Sequence, residues 1–294
     1  MRENKFKGLG IAVITPFRSD GSVDYEALLA LIDYQLKGGA DFLCILGTTS
    51  ESPCLTHEER LAIKECVVKH VCGRVPLLMG CGGNCTANVV QDIRSTDWTG
   101  IDGILSVCPM YNKPTQEGLY QHFVAVSEAS PLPVILYNVP GRTGVNLTAD
   151  TTLRLAHDCP NVVAIKEASG NIAQIKEILE KKPQGFDVLS GDDSLTLSVM
   201  LAGGVGIISV VGNAIPTVFA HMVHLMQEGR YAEAKVIDEE LFELYGLMFY
   251  EGNPAGVKSA LHTMGRIENK LRLPLVPVSE STGERIARKL SSLN

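Results

Sequence analysis

The 294-residue chain is 45% hydrophobic and 20% charged, with 28 glycines and 14 prolines, which is an ordinary globular composition with many turns. Its 26 Lys and Arg against 33 Asp and Glu give a net charge of −7 with no basic stripe, which argues against nucleic acid as a partner.

Neither the N-terminus nor any later segment has the pattern of a targeting or membrane signal. The apolar run at residues 9–15 ends at Pro16 and is too short for a secretory signal. Residues 194–220 carry no charge, but they contain four glycines and Pro216, which would break a spanning helix. We expect a soluble, cytoplasmic protein without a membrane segment.

Eight cysteines are spread at irregular intervals, and Cys81 and Cys85 do not form a CxxC pair. In a reducing cytoplasm this spacing predicts free, buried thiols rather than disulfides or a zinc site.

Eight short apolar runs bounded by turn residues are predicted to be strands buried on both faces. They are residues 9–15, 42–46, 76–79, 103–107, 133–137, 162–166, 187–189 and 206–210. A stretch with helical spacing follows each strand. These stretches are residues 24–37, 56–70, 86–94, 115–128, 148–157, 172–181, 195–201 and 216–228. The second of them opens with a capping box from Thr56 to Glu59.

This alternation predicts an α/β fold, a (β/α)8 TIM barrel over residues 1–229. A doubly wound open sheet is the alternative, but no turn after a strand carries a GxGxxG pattern. After Gly229 the strands stop, and residues 231–250, 254–264 and 280–290 have helical spacing. We therefore predict a C-terminal helical appendage over residues 230–294.

Lys166 ends the sixth predicted strand, at the barrel edge where TIM-barrel enzymes place their chemistry. An ammonium in apolar surroundings loses hydration, which makes the neutral amine that forms Schiff bases more accessible. The alternative is that Lys166 pairs with Glu167 at a solvated strand end.

Other polar or turn residues follow the remaining strands and should share this edge. They are Thr48, Thr49, Tyr111, Tyr137, Arg142, Gly191 and Ile208. Each has an ordinary structural interpretation: a helix cap for the threonines, a half-buried aromatic ring for the tyrosines, a surface ion pair for Arg142. Together they fit an amine nucleophile with hydroxyls to move protons and a guanidinium to bind a carboxylate.

Four motifs carry a resemblance to a known family over essentially the whole chain. They are Gly47-Thr48-Thr49-x-Glu51-Ser52, Tyr111-Asn112-x-Pro114, Tyr137-Asn138-Val139-Pro140-x-Arg142-Thr143-Gly144 and Ile165-Lys166-Glu167-Ala168-Ser169-Gly170. With them the chain resembles the 4-hydroxy-tetrahydrodipicolinate (dihydrodipicolinate) synthases, of the N-acetylneuraminate lyase superfamily of class I pyruvate aldolases. The resemblance implies condensation of pyruvate with L-aspartate 4-semialdehyde in lysine and diaminopimelate biosynthesis, without a cofactor or metal, by a homotetramer built as a dimer of dimers.

The resemblance also implies a role for each matching residue. Lys166 would form the Schiff base, and Tyr137 would donate and accept protons. Thr48 would link Tyr137 to Tyr111, which would reach across from a neighbouring subunit. Four further residues would bind substrates: Thr49, the Ile208 backbone and nearby Gly191 for pyruvate, and Arg142 for the semialdehyde carboxylate.

Two departures from the family pattern stand out. Ser50 replaces a usual glycine, and it would be strained if that position needs a positive φ. At the lysine effector site known in some members, three residues match, namely Ser52, His57 and Asn84. Three others differ, with Asn88 for glutamate, Arg60 for histidine and Met110 for tyrosine. This pattern predicts weak or absent inhibition by lysine.

Other functions stay open at this point. An N-acetylneuraminate lyase or sugar-acid aldolase would share Lys166 and Tyr137 but use another aldehyde; Arg142 favours the synthase. A non-catalytic oxo-acid binding protein has no need of a reactive amine beside a proton relay. Phosphate-sugar chemistry would suit the glycine-rich eighth unit, but no lysine or arginine lies near it in the sequence.

Overall fold

The computed structural model describes residues 4–293. Eight parallel strands close into a barrel in chain order. They are β1 (Gly8–Ala12), β2 (Phe42–Ile45), β3 (Leu77–Gly80), β4 (Gly103–Val107), β5 (Val134–Asn138), β6 (Val162–Glu167), β7 (Asp187–Ser190) and β8 (Gly206–Ser209). The predicted fold class is therefore confirmed.

Twelve α-helices occur among the described residues. They are α1 (Tyr25–Lys37), α2 (His57–Val71), α3 (Thr86–Ser95), α4 (Gln116–Ala129), α5 (Pro140–Thr143), α6 (Ala149–Asp158), α7 (Ile172–Lys181), α8 (Thr196–Leu201), α9 (Pro216–Gln227), α10 (Tyr231–Phe249), α11 (Ala255–Thr263) and α12 (Glu280–Ser291). Most bounds fall within one or two residues of the prediction, since alternating strand and helix periodicities and hydroxyl caps mark them in the sequence. The capping box of α2 is present, with Thr56 and Glu59 each bonded to the other's backbone.

The chain divides into two compact units. The first contains Pro76–Ile208 together with residues 4–7. In it β5 and β6 pair with Tyr137 opposite Lys166 and Asn138 opposite Glu167. Because successive side chains on a strand point to opposite faces, Tyr137 and Lys166 share one face and Asn138 and Glu167 the other.

The second unit contains Gly8–Val75 and residues 209–293. In it α9 packs against β1, and α10 packs against α9 and α12. The apolar interior includes Phe17 and Phe219, both fully buried. The predicted boundary between a barrel ending at residue 229 and an appendage starting at residue 230 stays a prediction.

Two local expectations differ from the structure. β1 ends at Ala12 rather than at Thr15, although the Val13 amide still donates to the Cys44 carbonyl at 2.9 Å. The short helix α5 was missed, although Pro140 at its first position and Gly144 in the left-handed conformation after it are signals of helix start and stop.

All eight cysteines are free thiols, as predicted, but they are not all buried. Cys72 and Cys85 are exposed, because Cys72 caps the end of α2 and Cys85 precedes α3 at the surface. Within residues 4–293 no helix is long and apolar enough to cross a membrane.

Candidate active site

Lys166 and Tyr137 lie side by side on neighbouring strands of the first unit. The Lys166 Nζ is 4.4 Å from the centroid of the Tyr137 ring. The two residues are 5% and 7% exposed, respectively. An amine held beside a phenol and shielded from bulk water can attack a carbonyl group while the hydroxyl exchanges protons with the reacting atoms.

Gly191 follows β7 and packs against the Lys166 side chain. Its amide donates to the Glu167 carbonyl at 2.8 Å. A Cβ at this position would lie 2.7 Å from the Ala168 Cβ and 3.0 Å from the Lys166 Cε. Any side chain here would therefore displace the lysine, which gives the predicted site residue Gly191 a steric role.

Gly191→Ala is expected to slow trapping of a 2-oxo acid such as pyruvate on Lys166 by about 10- to 100-fold, because a shift of about 1 Å in a reacting group costs that much. The measurement is the rate of adduct formation with borohydride, followed by intact mass. Gly246→Ala is the matched control, since its Cβ would meet nothing within 4 Å. An unchanged rate in Gly191→Ala would contradict the steric role.

Glu167 is buried on the opposite face of β6 from Lys166. Its carboxylate accepts hydrogen bonds from Asn138 Nδ2 at 3.2 Å, Gln174 Nε2 at 3.0 Å and the Ser169 amide at 2.8 Å. Burial raises the pKa of Glu167, while these donors oppose the rise. The alternative of a solvated Lys166–Glu167 pair is therefore wrong, and the Asn138–Glu167 bond instead joins β5 to β6 beside the Lys166–Tyr137 pair.

The turn after β2 contains Thr48, Thr49 and Ser50 as one turn of 3₁₀ helix. The strain considered for Ser50 does not occur, because the left-handed residue is the next one, Glu51, with φ of 54°. Ser50 is buried, and its hydroxyl donates to the Val13 carbonyl at 2.6 Å. Serine thus adds a hydrogen bond here without a backbone penalty.

A buried ion pair that the sequence did not predict anchors this turn. Lys258 Nζ donates to Glu51 Oε1 at 2.5 Å, and both side chains are fully buried. The Arg272 amide donates to the other carboxylate oxygen at 3.0 Å. Burial lowers the pKa of Lys258 to about 8, although Glu51 opposes this shift. The only sequence signal of this ion pair was a single lysine, Lys258, among the small and apolar residues of α11.

The remaining predicted site residues lie on several elements. Tyr111 is 88% exposed with φ of 74°, and its amide donates to the Thr143 carbonyl at 3.2 Å. Arg142 is exposed on α5, and Ile208 is buried in β8. The structure thus brings Lys166, Tyr137 and Gly191 together, and it joins the Tyr111 loop to the helix that carries Arg142.

The three candidate effector residues lie at or just before the first residues of helical elements. Ser52 begins a turn of 3₁₀ helix and is half-buried, while His57 is the exposed first residue of α2. Asn84 is exposed two residues before α3, and its carbonyl accepts a bond from Asn112 Nδ2 at 2.9 Å. Their role as a site stays a prediction.

Comparison with known proteins identifies the family. The profile of the Dihydrodipicolinate synthetase family matches residues 5–293. The chain belongs to the Dihydrodipicolinate synthetase family. It is 55% identical to the 4-hydroxy-tetrahydrodipicolinate synthase of Phocaeicola vulgatus over 293 residues, which cover 100% of this chain and 99% of that protein.

Two further members of the Dihydrodipicolinate synthetase family show the same full-length agreement. The 4-hydroxy-tetrahydrodipicolinate synthase of Parabacteroides distasonis is 54% identical over 294 residues, covering 100% and 99% of the two chains. The crystal structure of dihydrodipicolinate synthase from Thermotoga maritima superposes with a TM-score of 0.96 at 41% identity, covering 98% and 99%. The resemblance drawn from the four motifs is thereby confirmed.

Proposed function

We propose that the protein condenses pyruvate with L-aspartate 4-semialdehyde to give 4-hydroxy-tetrahydrodipicolinate, the branch-point step toward diaminopimelate and lysine. The observation that carries the proposal is the buried Lys166 amine 4.4 Å from the Tyr137 ring, in a chain 55% identical to a 4-hydroxy-tetrahydrodipicolinate synthase. Such a pair suits Schiff-base chemistry.

The reaction begins when the Lys166 amine attacks the C2 carbonyl of pyruvate and water leaves, which forms an imine. Loss of a proton from C3 gives an enamine, whose C3 attacks the aldehyde carbon of the semialdehyde. The amino group of the semialdehyde then attacks C2 and releases Lys166, so that one water is lost overall. The iminium accepts the electron pair when the C3 proton leaves and when the amino group attacks C2, and the aldehyde oxygen accepts it when the carbon–carbon bond forms, so the proposed chemistry requires no cofactor.

The proton transfers are assigned to three hydroxyl side chains. Tyr137, beside the amine, exchanges protons with the carbinolamine and with C3. Thr48 and Tyr111 continue the relay toward solvent. Tyr111 is 88% exposed in this chain, which suits a residue that acts in a neighbouring subunit. We accordingly propose a homotetramer, a dimer of dimers, in the cytoplasm, where eight free cysteines stay reduced.

Binding of the two substrates is assigned to different groups. Pyruvate is held by the Thr49 hydroxyl and the Ile208 backbone, while Gly191 leaves room for the modified lysine. The semialdehyde carboxylate is held by Arg142, whose guanidinium can form two parallel hydrogen bonds with it.

Arg142→Ala is expected to raise the KM for L-aspartate 4-semialdehyde about 10- to 100-fold, because a charge-assisted carboxylate contact is lost. Trapping of pyruvate on Lys166 should stay at the wild-type rate. Steady-state kinetics with each substrate varied in turn provide the measurement, and Arg154→Ala, an exposed ion-pair residue on α6, is the matched control. Equal losses for both substrates would count against the assignment.

Product analysis tests the proposed function against the sugar-acid lyases. The protein is incubated with pyruvate and either L-aspartate 4-semialdehyde or N-acetylmannosamine, and the consumption of pyruvate is followed. Turnover with the semialdehyde alone supports the synthase. Turnover with the sugar alone would replace the synthase by a lyase, and turnover with neither would contradict both.

Inhibition by lysine is expected to be weak or absent. Asn88 supplies no carboxylate to pair with the ammonium group of lysine, and Arg60 adds a positive charge that repels this group. Synthase activity measured across rising lysine concentrations checks this expectation. Strong inhibition at sub-millimolar lysine would overturn it.

A further inference from the structure

The Thr49 hydroxyl is held by a residue from the distant C-terminal part of the same compact unit. Asn253 Nδ2 donates to Thr49 Oγ1 at 3.0 Å. Thr49 is 3% exposed and Asn253 is 6% exposed, so the contact is shielded from water. The two residues are 204 positions apart in the sequence, and the four family motifs do not include Asn253.

The direction of this hydrogen bond determines what the hydroxyl can do. A side-chain NH₂ group only donates, so Thr49 Oγ1 is the acceptor and its own hydrogen points elsewhere. Among residues 4–293, no second hydrogen bond engages this hydroxyl. A buried hydroxyl with its oxygen already bonded and its hydrogen unused favours a ligand that accepts, and a carboxylate oxygen is the strongest such acceptor.

The backbone of the turn is held separately. Glu51 carries the left-handed φ of 54° and binds Lys258 and the Arg272 amide through its two carboxylate oxygens. The Thr49 backbone therefore does not depend on Asn253 for its position. What Asn253 adds is a restriction on the rotation of the Thr49 hydroxyl group.

We propose that Asn253 is a positioning residue that directs the hydrogen of the Thr49 hydroxyl toward the carboxylate of bound pyruvate. The proposal rests on the proposed function, because it takes pyruvate as the ligand of Thr49. Asn253 itself touches no reacting atom. Loss of the Asn253 hydrogen bond should therefore lower the affinity for pyruvate and leave the KM for the second substrate nearly unchanged.

Asn253→Asp tests the proposal, because it keeps the shape of the side chain but can only accept a hydrogen bond when ionised. The carboxylate should accept a hydrogen bond from the Thr49 hydroxyl, which then cannot donate to pyruvate, so pyruvate binding should weaken about 10- to 100-fold. The readouts are the pyruvate concentration that gives half-maximal borohydride adduct and the KM for each substrate. The KM for L-aspartate 4-semialdehyde should stay within about twofold of the wild-type value, whereas a general structural defect would change both.

Asn253→Ala and a double variant complete the experiment. Asn253→Ala leaves the hydroxyl free to rotate, so it should weaken pyruvate binding less than Asn253→Asp does. In the Thr49→Val background, Asn253→Ala should have no further effect on pyruvate binding. Gln227→Glu, an exposed amide-to-carboxylate change on α9, controls for the added charge.

Three outcomes would overturn the proposal: wild-type pyruvate affinity in Asn253→Asp, equal shifts for both substrates, or additive losses in the double variant. They differ from failure of the proposed function, in which the wild-type protein itself would form no pyruvate adduct.

Discussion

Lys166→Ala is expected to form no borohydride-reducible pyruvate adduct and to lose synthase activity by a factor on the order of 10³ or more. The wild-type protein should gain the mass of one reduced pyruvyl group per chain. The physical reason is that alanine cannot form the imine, without which the enamine that attacks the aldehyde is not made. Tyr137 and the substrate-binding groups stay in place, so weak binding of pyruvate without covalent capture should persist.

The control for this experiment is Lys176→Ala, which removes an exposed lysine from α7. It should form the adduct at the wild-type rate. An adduct of equal yield in Lys166→Ala would show that another amine is the nucleophile. The complete absence of adduct from folded wild-type protein would eliminate the aldolase-type mechanisms altogether and favour an oxo-acid binding protein.

Lys258→Met should lower the free energy of unfolding by about 3–5 kcal/mol, because it leaves the fully buried Glu51 carboxylate without its cation. The urea concentration at half-unfolding measures the effect. Activity should also fall, since Glu51 holds the turn that carries Thr48 and Thr49.

A second substitution separates the loss of charge pairing from the loss of packing. Adding Glu51→Gln to Lys258→Met removes the uncompensated charge and should recover part of the lost stability. Lys235→Met is the matched control, because it breaks an exposed lysine–glutamate pair on α10, and such pairs contribute little. If Lys258→Met proved as harmless as Lys235→Met, the ion pair would have no anchoring role.

The barrel and the Lys166–Tyr137 pair could be predicted because their signals are local. Each strand is a short apolar run, and several helices begin after a capping residue such as Thr56 or Thr115. Parallel strands in chain order bring their carboxyl ends to one edge. A lysine and a tyrosine at the ends of successive strands are therefore expected to be neighbours.

The contacts that support the site could not be predicted in this way. Lys258 and Glu51 are 207 positions apart, and no periodicity relates them. The neutral partners of Glu167 come from a different strand and a helix, so the adjacent Lys166 was the only partner that the sequence suggested. Ser50 raised a concern about strain because the left-handed position lies one residue later than the family comparison implied.

The second compact unit affects how the protein folds during its synthesis, because Gly8–Val75 must pack against residues 209–293, which are made later. At about 5–20 residues per second, a ribosome needs roughly 7 to 27 s to add Pro76–Ile208 before the rest of this unit can follow. During that interval β1 can pair with β2, but β1 and α1 both lack their contacts with α9. Glu51 lacks its buried cation until Lys258, 207 positions later in the sequence, has also been synthesised. A premature stop codon at or before position 272 thus removes Arg272, whose amide binds Glu51, and one at or before position 258 also removes the lysine that pairs with this buried carboxylate.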